Sequence, residues 1–492
     1  MYTTTTTFIV YILGMLVIGI VAARMTNSLN DYVLGGRSLG RIVTGLSAGA
    51  SDMSGWLLMG LPGALFLYGI SESWIAIGLV LGQWCNWKFV AARLRSFTAN
   101  ASDALTIPDY LAARFNDKLR ITAIASAFII LTFFVVYCAS GMVSAARLFE
   151  QTFALDYSNA LLIGAVSTIF YVFIGGFLAV SWTDCVQATL MIFALLITPV
   201  ILILNCGGLD VANDMIVSRG PELTNFLKGM TFIGLISLVG WGLGYVGQPH
   251  ILVRFMAAGS VRGLGDARRI SITWMVLCLV GAILIGFYGN AFAVAHPEVA
   301  IANHEQIFII VAQTLFTPWV AGILLSAILA AIMSTLSCQL LVASTTLTAD
   351  FYRRFMRPNA SQSELVWCGR FMLLFVAIIA YCIALNPEAG ILHLVAYAWA
   401  GFGASFGPCI VMSLYWKKMN LKGAITGMIV GALTVIIWEY FEFFNLYSLV
   451  PGFIISALSI LIVSNLTSSQ NNEVEALFTD LENKFWQEVK DR

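Results

Sequence analysis

The stretch "SAGASDMSGWLLMGLPG" at residues 47–63 sets an acidic side chain, Asp52, among serines and glycines inside an apolar run. A carboxylate at membrane depth is costly unless something compensates it, so Asp52 is a functional candidate by residue type alone. Two further readings stand beside that one: a proton-coupling group, or a neutral acid that holds broken backbone together. A second interrupted stretch, "GWGLGYVGQPH" at 240–250, carries Gly240, Gly242, Gly244, Gly247 and Pro249. Glycine is conformationally permissive and proline lacks an N–H, so both stretches continue a helix poorly. In lipid, non-helical backbone survives only where it is buried in protein or lines a cavity, and its freed carbonyls need partners. A cation or a polar solute supplies them. A third cluster, "AAIMSTLSCQLLVASTTLTAD" at 330–350, gathers Ser334, Thr335 and Ser337. Such hydroxyls commonly satisfy their own i−4 carbonyls, but a run this dense in a chain with two broken helices weakens that reading.

The elements that must position these groups follow from composition. Of 492 residues, 59% are hydrophobic and 11% charged, with a mean hydropathy of +0.87, which describes a polytopic membrane protein. The 26 basic and 26 acidic residues cancel, so no global field draws nucleic acid. Nine scattered cysteines without a Cys-x-x-Cys pair read as packing residues, and the four histidines lack metal-motif spacing. At about 20 apolar residues per crossing, thirteen spans are expected near 6–23, 42–68, 74–93, 121–148, 158–176, 184–206, 229–252, 271–294, 310–347, 367–385, 391–414, 423–441 and 447–465. The segment 310–347 is too long for one upright helix and is expected to tilt or to extend past the bilayer.

Basic residues orient the spans. Arg24, Arg37, Arg41, Lys88, Arg93, Arg95, Arg114, Lys118, Arg120, Arg254, Arg262, Arg268, Arg269, Arg353, Arg354, Arg357, Lys417, Lys418 and Lys422 fall on one side, with Lys484, Lys490 and Arg492 in the tail. Only Arg147, Arg219 and Lys228 fall on the other. The positive-inside rule then puts the N-terminus outside and the C-terminus inside. The N-terminal segment reads as a first span, not a cleaved signal. The tail 467–492 repeats Leu477, Phe478, Leu481, Phe485 and Val489 at helical spacing, so it is either an amphipathic helix on the inner face or a loosely ordered end. The two breaks lie five spans apart, the offset expected of two inverted repeats. No residue-by-residue similarity joins the halves, so the repeat rests on spacing.

The motifs "GGRSLG", "SAGASDMSGWLLMGLPG", "SESWIAIGL", "YCASG", "FIGGFLAVSWTD", "GWGLGYVGQPHIL" and "SAILAAIMSTLSCQLL" closely resemble the sodium/solute symporter family, nearest its bacterial proline-carrying members, from about Tyr11 to Gly452. The resemblance implies an all-α polytopic fold: a leucine-transporter-like 5+5 inverted-repeat core, with one extra N-terminal and two extra C-terminal helices. It implies a single transporter domain over 1–466, with core repeats at about 42–206 and 229–414, followed by a cytoplasmic tail. Carried over by position, the sodium ligands would be the carbonyls of Ala50, Met53 and Ala331 and the hydroxyls of Ser334 and Thr335, a set of neutral oxygens suited to a hard cation. Asp52 would be needed for coupling. The substrate pocket would use Trp56, Tyr137, Trp241, Tyr245 and Pro249, with Ser54, Gly55 and Gln248 nearby. Aromatic walls suit proline, whose ring is compact and whose ammonium can lie over an indole face. Arg37 would gate the inward path or serve only as a topology charge. Glu72 and Asp184 are expected near span ends in solvated or capping roles.

The activity implied is uptake of L-proline with inward sodium movement across a bacterial cytoplasmic membrane, with the lipid bilayer as solvent. No organic cofactor, nucleic acid or obligate protein partner is expected. The alternatives are a symporter of the same family for another small solute and a membrane solute sensor, although the short tail is small for a signalling domain. An ATP-driven pump would need a phosphate-binding loop, and an enzyme would need a constellation of nucleophile, base or metal. Neither is found in the sequence.

Overall fold

The computed structural model describes residues 2–25, 28–227, 230–386, 390–467 and 472–490. Lys228 and Arg492, two of the charges used above, lie outside them. Ten helices among the described residues are long and apolar enough to cross a membrane, and three shorter apolar helices, Trp56–Tyr68, Tyr157–Phe170 and Phe232–Gly247, stand where further spans are expected. Length and composition alone thus give ten. No strand occurs among the described residues, only an isolated parallel bridge between Leu39 and Ala258.

The helices are α1 (Tyr2–Ala23), α2 (Arg41–Ala50), α3 (Leu61–Tyr68), α4 (Ile70–Asn100), α5 (Ile121–Phe153), α6 (Tyr157–Asn205), α7 (Phe232–Gly240), α8 (Pro249–Ala257), α9 (Leu264–Ala295), α10 (Pro318–Thr345), α11 (Gln362–Ala384), α12 (Ile391–Tyr415), α13 (Leu421–Phe441), α14 (Leu449–Leu466) and α15 (Asn472–Lys490). Helix α6 packs against α1, α5, α9 and α10. Helices α2 and α3 flank the first break, and α7 and α8 the second. Trp56–Gly60 is a π-type turn leading into α3, a local widening that often marks a functional position.

Two expected boundaries are corrected. The spans 158–176 and 184–206 are not separated by a loop. They meet at Gly176, whose φ of 63° and ψ of −163° belong to a region essentially reserved for glycine. An added Cβ there would also come within 2.9 Å of the Tyr32 ring. Helix resumes at once, so the polar residues 181–187 lie well inside a helix. The segment 310–347 is not one tilted helix either. A helix over Ile307–Leu315 stops, and α10 begins afresh at Pro318, where the missing N–H is harmless because first-turn amides have no intrahelical partner.

Several of the expected inner charges gather at one end. Arg120 and Arg354 both meet Asp109, Arg93 meets Glu482 and Lys417 meets Glu475. The tail is an ordered amphipathic helix, α15, with Val474, Phe478, Leu481 and Phe485 buried. It docks at this end, where the Phe478 ring lies edge-on to Phe97 with centroids 5.9 Å apart.

Candidate ion and solute site

The first break frees one carbonyl in particular. After α2 ends at Ala50, Met53 N–H reaches back to Gly49 O at 3.2 Å, and Ser54 N–H turns to Asp52 O at 3.0 Å instead of Ala50 O. The Ala50 carbonyl is met from α10, where the Ser334 hydroxyl donates at 2.8 Å and the Thr335 hydroxyl lies at 3.5 Å. The Ser334 hydroxyl is also 2.9 Å from Ala331 O. Hydrogen bonds therefore bring together four of the five expected ion ligands, all buried. Met53 is buried in the same break but takes no part in this bonding.

The second break is a 3₁₀ segment, Trp241–Gly247, whose carbonyls find side-chain partners. Trp399 Nε1 donates to Trp241 O at 2.8 Å, Asn86 Nδ2 to Tyr245 O at 3.0 Å, and Gln248 Nε2 to Gly244 O at 3.2 Å. Gln248 Nε2 also reaches Trp399 O at 3.1 Å. The backbone exposed by the break is thus satisfied inside protein, as the absence of water at membrane depth requires. Trp399 fits against the segment because residue 244 has no side chain: a Cβ on Gly244 would lie 1.9 Å from Trp399 Nε1. Gly244→Ala must push the indole off the Trp241 carbonyl. We expect a loss of about 1–3 kcal/mol of stability, the usual cost of overpacking, read from thermal unfolding.

Asp52 joins the two breaks. It is 1% exposed, and the Tyr245 hydroxyl donates to its Oδ2, while Oδ1 is buried with no hydrogen-bond partner among the described residues. Around it stand the expected aromatics. Trp56 and Trp241 have ring centroids 6.4 Å apart. The Tyr137 ring is edge-on to His250 at 5.7 Å, and its buried hydroxyl has no partner among the described residues. Ser54 Oγ lies 3.4 Å from Trp56 N–H. Gly55 is pressed against α5, where a Cβ would meet Ser144 Oγ at 2.6 Å. Gln248 Oε1 is buried without a partner among the described residues. Pro249, the first residue of α8, borders a small apolar cavity of about 20 Å³ with Val33, Ile130 and Phe177.

Asp184 corrects its expectation. Neither solvated nor capping, it is fully buried in α6, accepts from Ser47 Oγ at 2.6 Å and pairs with Arg254 Nη2 at 3.4 Å, both side chains 0% exposed. Arg254 is likewise not a loop charge. It lies in α8, donating to Ser47 Oγ at 3.2 Å and His250 O at 2.9 Å and touching the Cys338 sulfur. Glu72 does stand at a helix end, half-buried in the turn Ile70–Ser73.

Arg37 clasps two segments at the basic-rich end: the adjacent Asp103 at 3.0 Å and Ala104 O at 2.7 Å, and Met256 O at 2.8 Å on α8. Beside it, Leu39 N–H reaches Ala257 O at 3.2 Å and Gly259 N–H reaches Leu39 O at 3.0 Å. Burial tends to depress the guanidinium's pKa, and the Asp103 carboxylate opposes that.

Sequence reasoning missed Trp399 and Asn86. Asn86, a polar amide within an apolar run, carried a signal. Trp399, among small residues, was indistinguishable from packing.

The sodium:solute symporter family model matches residues 32–431. The chain is 61% identical over 438 residues to the sodium/proline symporter of Escherichia coli (strain K12), covering 88% of this chain and 87% of that protein. It is 60% identical over 438 residues, with the same shares, to the sodium/proline symporter of Salmonella typhimurium (strain LT2). Among solved structures, a Na+-coupled sialic acid symporter in a substrate-bound outward-open state superposes with a TM-score of 0.81 at 16% identity, covering 94% of this chain and 98% of that one. At that identity the likeness speaks for the fold alone, and the fold is the leucine-transporter-like one. A family match over most of the chain, together with relatives this similar over nearly their whole length, makes this protein a member of the sodium:solute symporter family.

Proposed function

We propose that the protein takes up L-proline across a bacterial cytoplasmic membrane, driven by sodium moving inward with it. One observation carries the mechanism: Asp52, in the break that frees the Ala50 carbonyl, is hydrogen-bonded to Tyr245 in the other break. The ion and solute sites therefore share a strut. The names of relatives at 61% and 60% identity support the substrate and the ion.

In this reading sodium is taken from the outer side by Ala50, Met53, Ala331, Ser334 and Thr335. Small hard cations prefer such oxygens. Binding draws α10 and the first break together and fixes Asp52, which orients Tyr245 and, through it, the aromatic wall of Trp56, Tyr137 and Trp241. Ser54, Gly55, Gln248 and Pro249 complete the pocket, where exposed amides of the broken helices attract the substrate carboxylate. Sodium raises proline affinity, and by linkage proline raises sodium affinity by the same factor. Opening inward then requires the Arg37 clasp on Asp103, Ala104 and Met256 to release. We also propose thirteen crossings, with the N-terminus outside and the tail inside. The domain division is 1–466, with repeats at about 42–206 and 229–414, and no organic cofactor takes part.

Removing the hydroxyls separates ion from solute. Ser334→Ala deletes the shorter contact to Ala50 O, and a hydrogen bond of this kind contributes about 1–1.5 kcal/mol. Its sodium KM should rise about tenfold, whereas Thr335→Ala distinguishes a ligand from a bystander: as a ligand, its loss costs as much despite the longer 3.5 Å contact. The test of the function itself is uptake of labelled proline into proteoliposomes under sodium, proton or no gradient, with unlabelled glycine betaine, pantothenate and glucose as competitors. Accumulation is expected only with sodium, suppressed by unlabelled proline and by none of the three. Accumulation of none under any gradient would sink the proline assignment.

A further inference from the structure

The aromatic group of the site continues beyond the segment that the family model matches, 32–431. Tyr447, between α13 and α14, stacks on Trp241 with ring centroids 5.2 Å apart and planes 20° from parallel. Trp241 in turn lies against Trp56, so three rings link the first break, the second break and a loop near the C-terminal end of the chain.

Tyr447 is held at both ends. Its backbone N–H donates to Ser237 Oγ at 3.0 Å, on α7 just before the break, and its hydroxyl donates to Ala396 O at 2.8 Å on α12. The preceding residue is anchored by Trp438 Nε1, which donates to Leu446 O at 3.0 Å. The loop reaches this position through a costly backbone: Glu442, Phe444 and Asn445 have φ of 49°, 59° and 52°. Left-handed conformations are rare for phenylalanine and glutamate and persist only where the surroundings enforce them. A loop that only connected two helices would need neither this backbone nor a phenol tied across α7 and α12. The indole of Trp241 is otherwise attached to a 3₁₀ segment, whose hydrogen-bond geometry is poorer than that of a helix. A stacked partner therefore does for the ring what the helix would otherwise do.

We infer that Tyr447 is a positioning residue for substrate recognition: by stacking on Trp241 it fixes the indole plane and so sets the size of ring that the pocket accepts. The inference rests on the proposed proline site. It assigns the recognition of a cyclic amino acid partly to a side chain outside the repeats, and it makes the ring of Tyr447 matter more than its hydroxyl.

The experiment measures sodium-driven uptake of labelled proline by Tyr447→Ala and Tyr447→Phe in proteoliposomes, with azetidine-2-carboxylate and pipecolate, the four- and six-membered ring homologues, as competitors. Tyr447→Ala is expected to raise the proline KM about tenfold with Vmax within twofold, and to improve pipecolate competition relative to proline at least tenfold. Tyr447→Phe keeps the stack and loses the Ala396 bond, and should stay within twofold of the parent on both. An unchanged pipecolate-to-proline ratio in Tyr447→Ala would overturn the inference, because a general structural defect scales all ring sizes alike. Tyr447→Phe behaving as Tyr447→Ala would also overturn it, by giving the role to the tether. If Tyr447→Ala does not reach the membrane, Tyr447→Leu, which fills volume without a ring, takes its place in the same comparisons. Failure of the parent protein to take up proline sinks the proposed function; a working parent with an unchanged variant ratio sinks only this inference.

Discussion

Asp52→Asn is expected to lower the sodium affinity of uptake by about a hundredfold while the protein remains folded. Asparagine keeps the shape, and its amide oxygen can still accept from Tyr245, so the strut between the breaks survives. What disappears is the charge. Asp184, the other buried acid near α2, already has Arg254 as its counter-charge, whereas among the described residues the Asp52 carboxylate accepts only from a neutral phenol at Oδ2, and its Oδ1 has no partner there. An arriving cation is thus the group that compensates it. Separating a buried charge from its partner costs about 3–5 kcal/mol, and about 3 kcal/mol corresponds to a hundredfold in affinity. Two measurements check this: the sodium dependence of proline uptake, and the rise of the unfolding temperature with sodium, since a ligand of the folded state stabilises it by mass action. Unchanged sodium dependence in both would return Asp52 to a neutral, backbone-holding role. Transport that followed a proton gradient in the parent protein but not in Asp52→Asn would favour proton coupling.

The parts of this molecule legible in the sequence are those where lipid makes the local rule strict. Glycine, proline and an acid inside apolar runs marked both breaks, because backbone freed in a bilayer must be answered by nearby protein. The hydroxyls of Ser334 and Thr335 were visible as a cluster, but their target was not: Ala50 is 284 residues from Ser334, and no periodicity encodes such a distance. The break at Gly176 carries no mark in the sequence, where Ser181 and Thr183 read as part of a connection and Asp184 and Gln187 as the start of the next span. In the fold all four are buried, and a polar run buried against other helices has the same composition as one that faces water. Arg254 failed for the same reason, since a lone arginine near a span end is usually a topology charge. Its partner lies 70 residues away. Trp399 and Asn86 belong to the site through backbone carbonyls of the second break, and those carbonyls become acceptors only once the helix has opened.

Arg254→Met should destabilise the protein by about 3–5 kcal/mol, and adding Asp184→Leu should return most of that loss. The pair and its neighbours tie four helices: Ser47 on α2, Asp184 on α6, Arg254 on α8 and Cys338 on α10. With both side chains 0% exposed, removal of the cation leaves a buried carboxylate whose other contacts are hydroxyl and thiol. An orphaned charge of this kind accounts for the cost, whereas replacing both partners by apolar side chains of similar volume is often neutral. Stability and transport should therefore part in the double variant. Its unfolding temperature in detergent recovers, but α2 and α8, the two halves that flank the breaks, lose the polar link between Ser47 and Arg254 that registers them. Proline uptake should remain at least tenfold below the parent, because a well-packed apolar contact tolerates sliding and a three-way hydrogen bond does not. Recovery of both would reduce the pair to a folding device. Recovery of neither would show that α2, α6 and α8 require the charges even to assemble, and the sequence-distant pair would then be part of what specifies the fold around the ion site.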